Sequence, residues 1–222
     1  AQPTCHSTAP MNLRPDQLAA QFERPLAPLW LLHGNEPLLV LEAADAIRAA
    51  ARRQGFEERE TLVVGQGFKW DALTLAAGNM SLFGGAKLID LRIPTGKPGK
   101  EGSSALQDWC MNLSLDNLLL VTLPELDWRE EKAVWFTTLV NAGVAIKLVA
   151  PPLAELPGWI AGRLRSQQQS AELEGLRFIA ERVEGNLLAA NQEIRKLGLL
   201  YPAGALSLAQ ISEAVLNVAR YD

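Results

Sequence analysis

Up to residue 149, short apolar runs alternate with amphipathic stretches, and this alternation constrains the fold more than any other feature of the sequence. Between the apolar runs, apolar residues recur at spacings of three and four, which indicates helices over 38–54, 71–80, 103–112 and 130–141. Short apolar strands separated by helices predict an α/β domain with a largely parallel sheet and helices on its faces. The strand-length apolar runs are residues 29–32, 61–64, 87–93, 118–123 and 145–149.

The pattern changes at Ala150-Pro151-Pro152. Beyond the two prolines we predict no strand, and two architectures in series predict two domains. The first is an α/β domain over 11–149, and the second is a small helical bundle over 150–222. The helices predicted for the second domain cover residues 157–169, 171–183, 187–199 and 207–218.

Charge and hydropathy exclude several classes of protein. The formal net charge is −4, which argues against a protein whose main role is to coat nucleic acid. No apolar run reaches the roughly 18–20 residues of a membrane span. Residues 1–10 lack the basic and apolar regions of a secretory signal, and we expect them to be a flexible leader or a remnant of cloning.

Cysteine and histidine are scarce. The cysteines are Cys5 and Cys110 and the histidines are His6 and His33. Two cysteines do not make a disulfide framework, so we expect a reducing compartment. Together with the lack of a membrane span, this predicts a cytoplasmic protein without membrane contact. Four ligands for a tetrahedral metal cannot be assembled without using the leader, and we predict neither a metal nor another cofactor.

The turn after the first strand, Gly34-Asn35-Glu36-Pro37, stands where an α/β protein would hold a phosphate. A phosphate-binding loop needs a second glycine, a lysine for the phosphates and a serine or threonine for magnesium, and all three are absent here. Glu36 adds a carboxylate where phosphate oxygens would lie, and Pro37 removes an amide donor. The sequence therefore predicts a strand-to-helix turn and no ATP hydrolysis.

A second stretch, residues 94–102, is a near match to the same phosphate-binding motif. Gly99-Lys100 is present, but Glu101 takes the place of the serine or threonine, and Pro94 takes the place of the first glycine. We interpret this stretch as a flexible surface loop.

The segment Met80-Ser81-Leu82-Phe83-Gly84-Gly85 ends the helix predicted from Asp71. Because neighbouring helical residues point about 100° apart, Leu82 and Phe83 cannot both follow the inward stripe of that helix. The pair is either packed beneath the following loop or offered to a groove on a partner protein, and the residues alone leave both interpretations open. The inward stripe is formed by Leu73, Ala76, Ala77 and Met80.

Several longer stretches of the chain carry a family resemblance. They are LWLLHGNEPLLVLEAADAIR (29–48), GFEERETL (55–62), WDALTLAAGNMSLFGGAKLIDLR (70–92), NLLLVTLPELD (117–127), AVWFTTL (133–139) and EGNLLAANQEIRKLGLLYP (184–202). With these stretches, the chain from Met11 to its end resembles the delta-subunit family of bacterial DNA polymerase III clamp loaders. The most specific sign is the combination of Gly-Asn-Glu-Pro after the first strand, Ser-Leu-Phe after a helix and Glu-Gly-Asn-Leu-Leu late in the chain.

The resemblance implies a fold and an activity. The fold is an AAA+-type α/β domain with a helical lid, followed by a C-terminal collar domain for which the 222 residues leave no room. The activity is to bind the beta sliding clamp and help open the ring for loading on primed DNA, without ATP hydrolysis. The family's hydrophobic plug maps onto Leu82 and Phe83, with Met80 beside them, so the resemblance favours the partner-groove interpretation.

The resemblance also implies partners. They are the sliding clamp, the tau/gamma and delta prime subunits of the loader in the full-length protein, and DNA in the assembled complex only. As a subunit, such a chain belongs to the DNA polymerase III holoenzyme, a DNA-directed DNA polymerase and nucleotidyltransferase, with no catalytic residues of its own.

Two other functions are compatible with parts of the sequence. One is a nucleotide-binding AAA+ enzyme with an unusual phosphate loop, which requires saturable binding of Mg-ATP and turnover. The other is a DNA-binding adaptor, which requires binding to primed DNA with a steep salt dependence. The acidic balance of charge makes the adaptor the weakest of the three hypotheses.

Overall fold

The computed structural model describes residues 11–13, 17–78 and 86–216. The chain divides into two compact units between Val149 and Ala150. In chain order, the described part of the first unit contains β1 (Met11–Leu13), α1 (Leu18–Gln21), β2 (Leu29–Gly34), α2 (Pro37–Arg53), β3 (Phe56–Val63), α3 (Asp71–Gly78), β4 (Ala86–Arg92), α4 (Gly99–Met111), β5 (Asn117–Pro124), α5 (Val134–Ala142) and β6 (Val144–Lys147).

The strands of the first unit form a single sheet in the order β1-β6-β2-β5-β4-β3. Every neighbouring pair in this sheet is parallel. The sequence prediction of an α/β domain with a largely parallel sheet is therefore confirmed. Strands β2 and β5 lie in the middle of the sheet, and helices cover both of their faces, which explains why their sequences are almost continuously apolar.

Each face of the sheet has its own hydrophobic core. On one face, Trp30 and Leu32 of β2 pack with Ala44 and Ile47 of α2. On the other face, Leu29 and Leu31 of the same strand belong to a core shared with α3, α4 and α5. Alternate residues of β2 thus serve opposite cores, as the two-residue period of a strand requires.

Strand β3 begins at Phe56, five residues before the apolar run at 61–64 that predicted it. The residues before that run include Glu58, Arg59 and Glu60, and the strand alternates between half-buried and exposed residues along its whole length. Since β3 lies at the edge of the sheet, it is not covered on both faces, and an apolar run is a poor signal for such a strand.

The prediction of a loop over 94–102 is wrong for its last four residues, whereas 94–98 do form a loop. Helix α4 begins at Gly99, four residues before the predicted start, and Gly102 is buried where a Cβ atom would overlap the ring of Trp70. At Gly96, where φ is +68°, a Cβ would lie 2.6 Å from a side-chain atom of Leu126. These glycines permit close packing of the chain, whereas their sequence pattern resembled that of a mobile loop.

The second unit contains α6 (Leu156–Ser166), β7 (Gln169–Ala171), α7 (Leu173–Val183), α8 (Leu187–Leu200), β8 (Gly204–Leu206) and α9 (Leu208–Leu216). The prediction that no strand follows Pro152 is wrong in this detail, because β7 and β8 form a two-stranded parallel ladder. The buried Gln169 side chain supports the ladder, since its Nε2 donates to the carbonyls of Leu197, Tyr201 and Pro202. Strands of three residues are too short to leave a periodic apolar pattern.

None of the helices in the described ranges combines the length and the hydrophobicity that crossing a membrane requires.

Candidate functional site

The turn that follows β2 is closed by the end of the neighbouring strand β6. Gly34 has a φ of +150°, and a Cβ at this position would overlap the Leu148 carbonyl. The backbone N–H of Glu36 donates to that same carbonyl at 3.4 Å, and the Leu148 N–H donates to the carbonyl of His33 at 2.7 Å. The backbone at this turn is therefore pressed against the chain after β6, and glycine is required there for steric reasons.

The first turn of α2 is capped by its own carboxylate. The Oε1 atom of Glu36 accepts a hydrogen bond from the N–H of Leu38 at 3.1 Å, and Pro37 at the first helical position has no N–H to offer. A helix N-terminus attracts anions through its free N–H groups and its dipole. Here the anion is already a side chain of the protein, so a phosphate approaching this end of α2 would meet a negative charge.

His33, the last residue before Gly34, is buried against Phe136, with the two ring centres 5.1 Å apart in an edge-to-face arrangement. Burial, together with the positive charge of Lys147, lowers the pKa of His33 below its ordinary value of 6.5, and Glu131 acts in the opposite direction. Lys147 and Glu131 form an ion pair of 2.8 Å. The imidazole is therefore held in its neutral form at the base of the closed turn.

The remaining candidate groups are Cys110 and the side chains that could ligate a metal. Burial raises the pKa of the Cys110 thiol to about 11, so that this cysteine is a poor nucleophile. Within the described ranges, no three His, Cys, Asp or Glu side chains are grouped so that they could hold a metal ion.

Two glycine-containing stretches, residues 65–67 and 95–101, contribute to the lining of one cleft of about 570 Å³. Lys97, Lys100 and the start of α4 lie at this cleft, and no side chain caps that helix end. Thr95 also lines the cleft, where its Oγ1 accepts from the N–H of Lys97 and donates to the carbonyl of the same residue. The position next to Lys100 is Glu101, so the serine or threonine of a phosphate-binding motif is missing there.

The predicted plug residues Met80, Leu82 and Phe83 lie outside the described residues. The helix that leads to them is described to Gly78. Its buried side chains are Leu73 and Ala76, as predicted, while Ala77 is half-buried and Leu75 is 62% exposed. Helix α3 thus directs one face to the core and presents the apolar side chain of Leu75 on its outer face. Residues 79–85, which contain the predicted plug and follow this helix in the sequence, are called the plug segment.

The carbonyls near the end of α3 are held by two side chains that sequence reasoning missed. Nζ of Lys87 lies 3.3 Å from the Ala76 carbonyl oxygen, and Nδ2 of Asn117 lies 3.3 Å from the Ala77 carbonyl oxygen. Lys87 and Asn117 are partners in the register of β4 with β5. The signal available in the sequence was that the run 87–93, which predicted the strand, begins with a lysine.

A second buried charge lies three residues further along β4. The side chain of Asp90 is fully buried, and its Oδ2 accepts from Arg48 at 2.9 and 3.1 Å, from Arg59 at 2.7 Å and from Arg92 at 3.3 Å. Arg48 also donates to Asp45. This cluster ties α2 to the edge of the sheet, on the face opposite to Lys87.

Comparison with known proteins assigns a family. Residues 30–148 match the family model of the DNA polymerase III delta subunit. The chain is 35% identical over 211 residues to the DNA polymerase III subunit delta of Escherichia coli K12, covering 95% of this chain and 62% of that protein. It is 30% identical over 204 residues to the same subunit of Haemophilus influenzae, covering 90% of this chain and 59% of that protein. The chain therefore spans about three fifths of the length of these relatives.

Solved structures agree on the fold. The Bacillus subtilis DNA clamp loader delta protein superposes with a TM-score of 0.70 at 18% identity, covering 93% of this chain and 63% of that one. The Thermotoga maritima RuvB Holliday junction branch migration motor superposes with a TM-score of 0.53 at 13% identity, covering 90% and 66%. These likenesses confirm the predicted fold class, an AAA+-like α/β domain followed by a small helical domain.

Proposed function

The chain belongs to the DNA polymerase III delta subunit family, and from that membership we propose that it is a non-catalytic clamp-loader subunit in DNA replication. In this proposal it binds the beta sliding clamp through a plug formed by Leu82 and Phe83, with Met80 beside them, and helps to open the ring. Residues 11–149 are the clamp-binding AAA+-like domain, and residues 150–222 are the helical lid.

The observation that carries the proposal is that α3 buries one face in the core and exposes an apolar side chain on the other. Leu73 and Ala76 fill the core, and Leu75 remains exposed on the outer face. The two apolar residues of the plug follow within the next eight positions of the chain. An exposed apolar side chain that is followed in the sequence by further apolar residues supports docking into a partner's groove.

Free energies show why the plug needs neighbours. Burying Leu82 and Phe83 would contribute about 1.5–3 kcal/mol each. Association costs at least about 4 kcal/mol in lost translation and rotation, so the pair alone gives marginal binding. Leu75 is the described apolar side chain best placed to extend the interface, because it lies on the outer face of the preceding helix.

The absence of catalysis in this proposal has a physical reason in the turn after β2. Glu36 supplies a carboxylate where a nucleotide would place its phosphates, and the lysine and hydroxyl of a phosphate loop are missing from the sequence. As part of the DNA polymerase III holoenzyme, the chain would work alongside the tau/gamma and delta prime subunits, with DNA contacted only in the assembled complex. Bacterial DNA replication also places it in the cytoplasm.

The direct test is binding to the cognate beta sliding clamp, measured on a biosensor, together with a thermal melt. Leu82→Ala with Phe83→Ala should abolish detectable binding, while the free energy of unfolding changes by no more than about 0.5 kcal/mol, as for exposed sites. If the pair is packed in the core instead, unfolding should become easier by roughly 5 kcal/mol or more.

A matched control is available in the second unit. Leu199 and Leu200 are also adjacent and exposed, at 88% and 56%. Replacing both of them by alanine removes a similar apolar area and should leave clamp binding at the wild-type level. Wild-type affinity in the Leu82 and Phe83 double variant, or equal losses in both double variants, would refute the plug.

A further inference from the structure

Lys87 carries a buried charge whose position calls for an explanation. Its side chain is only 4% exposed, at the second position of β4. Three oxygens surround Nζ at 3.3 Å each: Oε1 of Glu58, Oε2 of Glu60 and the carbonyl oxygen of Ala76. Of the three N–H donors of the ammonium group, two are used in hydrogen bonds to Glu60 and Ala76, and Glu58 adds an ion pair.

The contact with Ala76 differs in kind from the other two. Glu58 and Glu60 lie on the adjacent edge strand β3, whereas Ala76 lies in the last turn of α3, eleven residues before Lys87. A cation near the C-terminal end of a helix interacts favourably with the helix dipole and with the last carbonyls. Asn117 adds a second bond of the same kind, to the carbonyl of Ala77.

These contacts join the two flanks of the plug segment to each other. The segment leaves α3 at Gly78 and enters β4 at Ala86. One residue beyond Ala86, the side chain of Lys87 reaches back to the helix that precedes the segment. This contact therefore joins the described residues on the two sides of the plug segment to each other.

We propose that Lys87 and Asn117 are positioning residues for clamp binding, which hold the end of α3 against the sheet and so set the place and direction of the plug. The inference rests on the proposed function. Ordering a binding segment in advance raises affinity, because less conformational entropy is lost when the complex forms. Neither residue needs to touch the clamp for this effect.

Lys87→Met tests the role of the charge, because methionine keeps most of the aliphatic stem and removes the donors. We expect the affinity for the beta sliding clamp to fall roughly tenfold, in line with the cost of immobilising a few side chains on binding. Amide hydrogen exchange of residues 72–78 should become faster. Lys147→Met is the matched control, since Lys147 is half-exposed, pairs with Glu131 and lies on β6, and it should change neither measurement.

A purely structural role is separated from positioning by repeating Lys87→Met in a chain that carries Leu82→Ala. If Lys87 acts through the plug, its effect on affinity should shrink to less than about twofold in that background, because the two changes are then not additive. The same factor in both backgrounds, or unchanged affinity of the folded Lys87→Met variant, would overturn the inference.

Asn117→Ala decides the matter if Lys87→Met does not fold. It removes only the bond to Ala77, and we expect roughly a threefold loss of affinity with the same dependence on Leu82. No loss would overturn the inference. A wild-type chain that does not bind the clamp at all refutes the proposed function instead, and amide exchange in the Lys87→Met variant then reports separately whether the end of α3 is held by Lys87.

Discussion

Helices α2 and α3 lie on opposite faces of the sheet, and both are tied to β4 by a buried charge of that strand. Asp90 binds the side chain of Arg48 in α2, while Lys87 binds the backbone carbonyl of Ala76 in α3. The two helices also differ at their ends. The start of α2 is capped by the carboxylate of Glu36, whereas the end of α3 leads to the plug segment.

The comparison shows that the sign of each charge matches the backbone groups at the helix end it contacts. A carboxylate at the start of α2 accepts from one free N–H group, that of Leu38, and places a negative charge where an anion would bind. An ammonium at the end of α3 donates to one carbonyl, that of Ala76. In our proposal, one strand thus supports a helix whose start does not bind nucleotide on one side and a clamp-binding segment on the other.

The largest effect is expected at Asp90. Asp90→Asn leaves Arg48 without its buried counter-charge, and since Arg59 and Arg92 are about two-fifths exposed, the loss should be near the lower end for broken buried pairs, about 3 kcal/mol. Thermal melts should then fall by about 6–12 °C. Clamp affinity, measured at a temperature where the variant is folded, should stay at the wild-type level.

That result would separate general destabilisation from positioning, because Asp90 and Lys87 lie in the same strand. If the folded Asp90→Asn variant loses as much clamp affinity as Lys87→Met, the two buried charges do not have distinct roles, and the comparison of α2 with α3 fails.

The sequence predicted the centre of this arrangement better than its edges. The strands around Leu31 and Leu120 could be predicted because they are buried on both faces, and a strand buried on both faces is almost continuously apolar. The first half of β3 was missed because an edge strand can carry charges such as Glu58 and Glu60. Helix α4 was started too late because Gly102 suggested a loop, although that glycine makes room for Trp70.

The candidate site divides in the same way. The chemistry that disfavours a nucleotide at Glu36 and Pro37 is local, and the sequence was sufficient to predict it. The roles of Lys87 and Asp90 depend on partners that are 11 and 42 residues away in the chain. Periodicity does not predict such distant contacts, so the charged residues of β4 did not reveal their partners.

A smaller effect is expected at the start of α2. Glu36→Ala removes the cap and should lower the free energy of unfolding by about 1 kcal/mol, while Glu36→Asp, which keeps a capping carboxylate, should be close to wild type. Neither variant should give saturable heat with Mg-ATP in calorimetry, because the lysine and the hydroxyl of a phosphate loop are still absent. Saturable binding by Glu36→Ala would mean that one carboxylate alone closes the site, and binding by the wild type would remove the contrast between the two helices.

The smallest effect concerns His33, which precedes the closed turn of α2 and has no counterpart among the groups that hold the end of α3. Since burial lowers the pKa of His33 below 6.5, the unfolded chain binds this proton more readily than the folded chain. Stability contributed by the neutral imidazole is therefore complete above about pH 6.5 and is lost as the pH falls from there towards the lowered pKa, with a slope of at most about 1.4 kcal/mol per pH unit. Urea unfolding of the wild type and of His33→Gln between about pH 7.5 and about pH 5.5 isolates the effect, because every other titrating group is common to both proteins. The wild type should lose more stability than the variant over this range, whereas parallel curves, or a wild type that gains stability in acid, would show that His33 does not link pH to the closed turn.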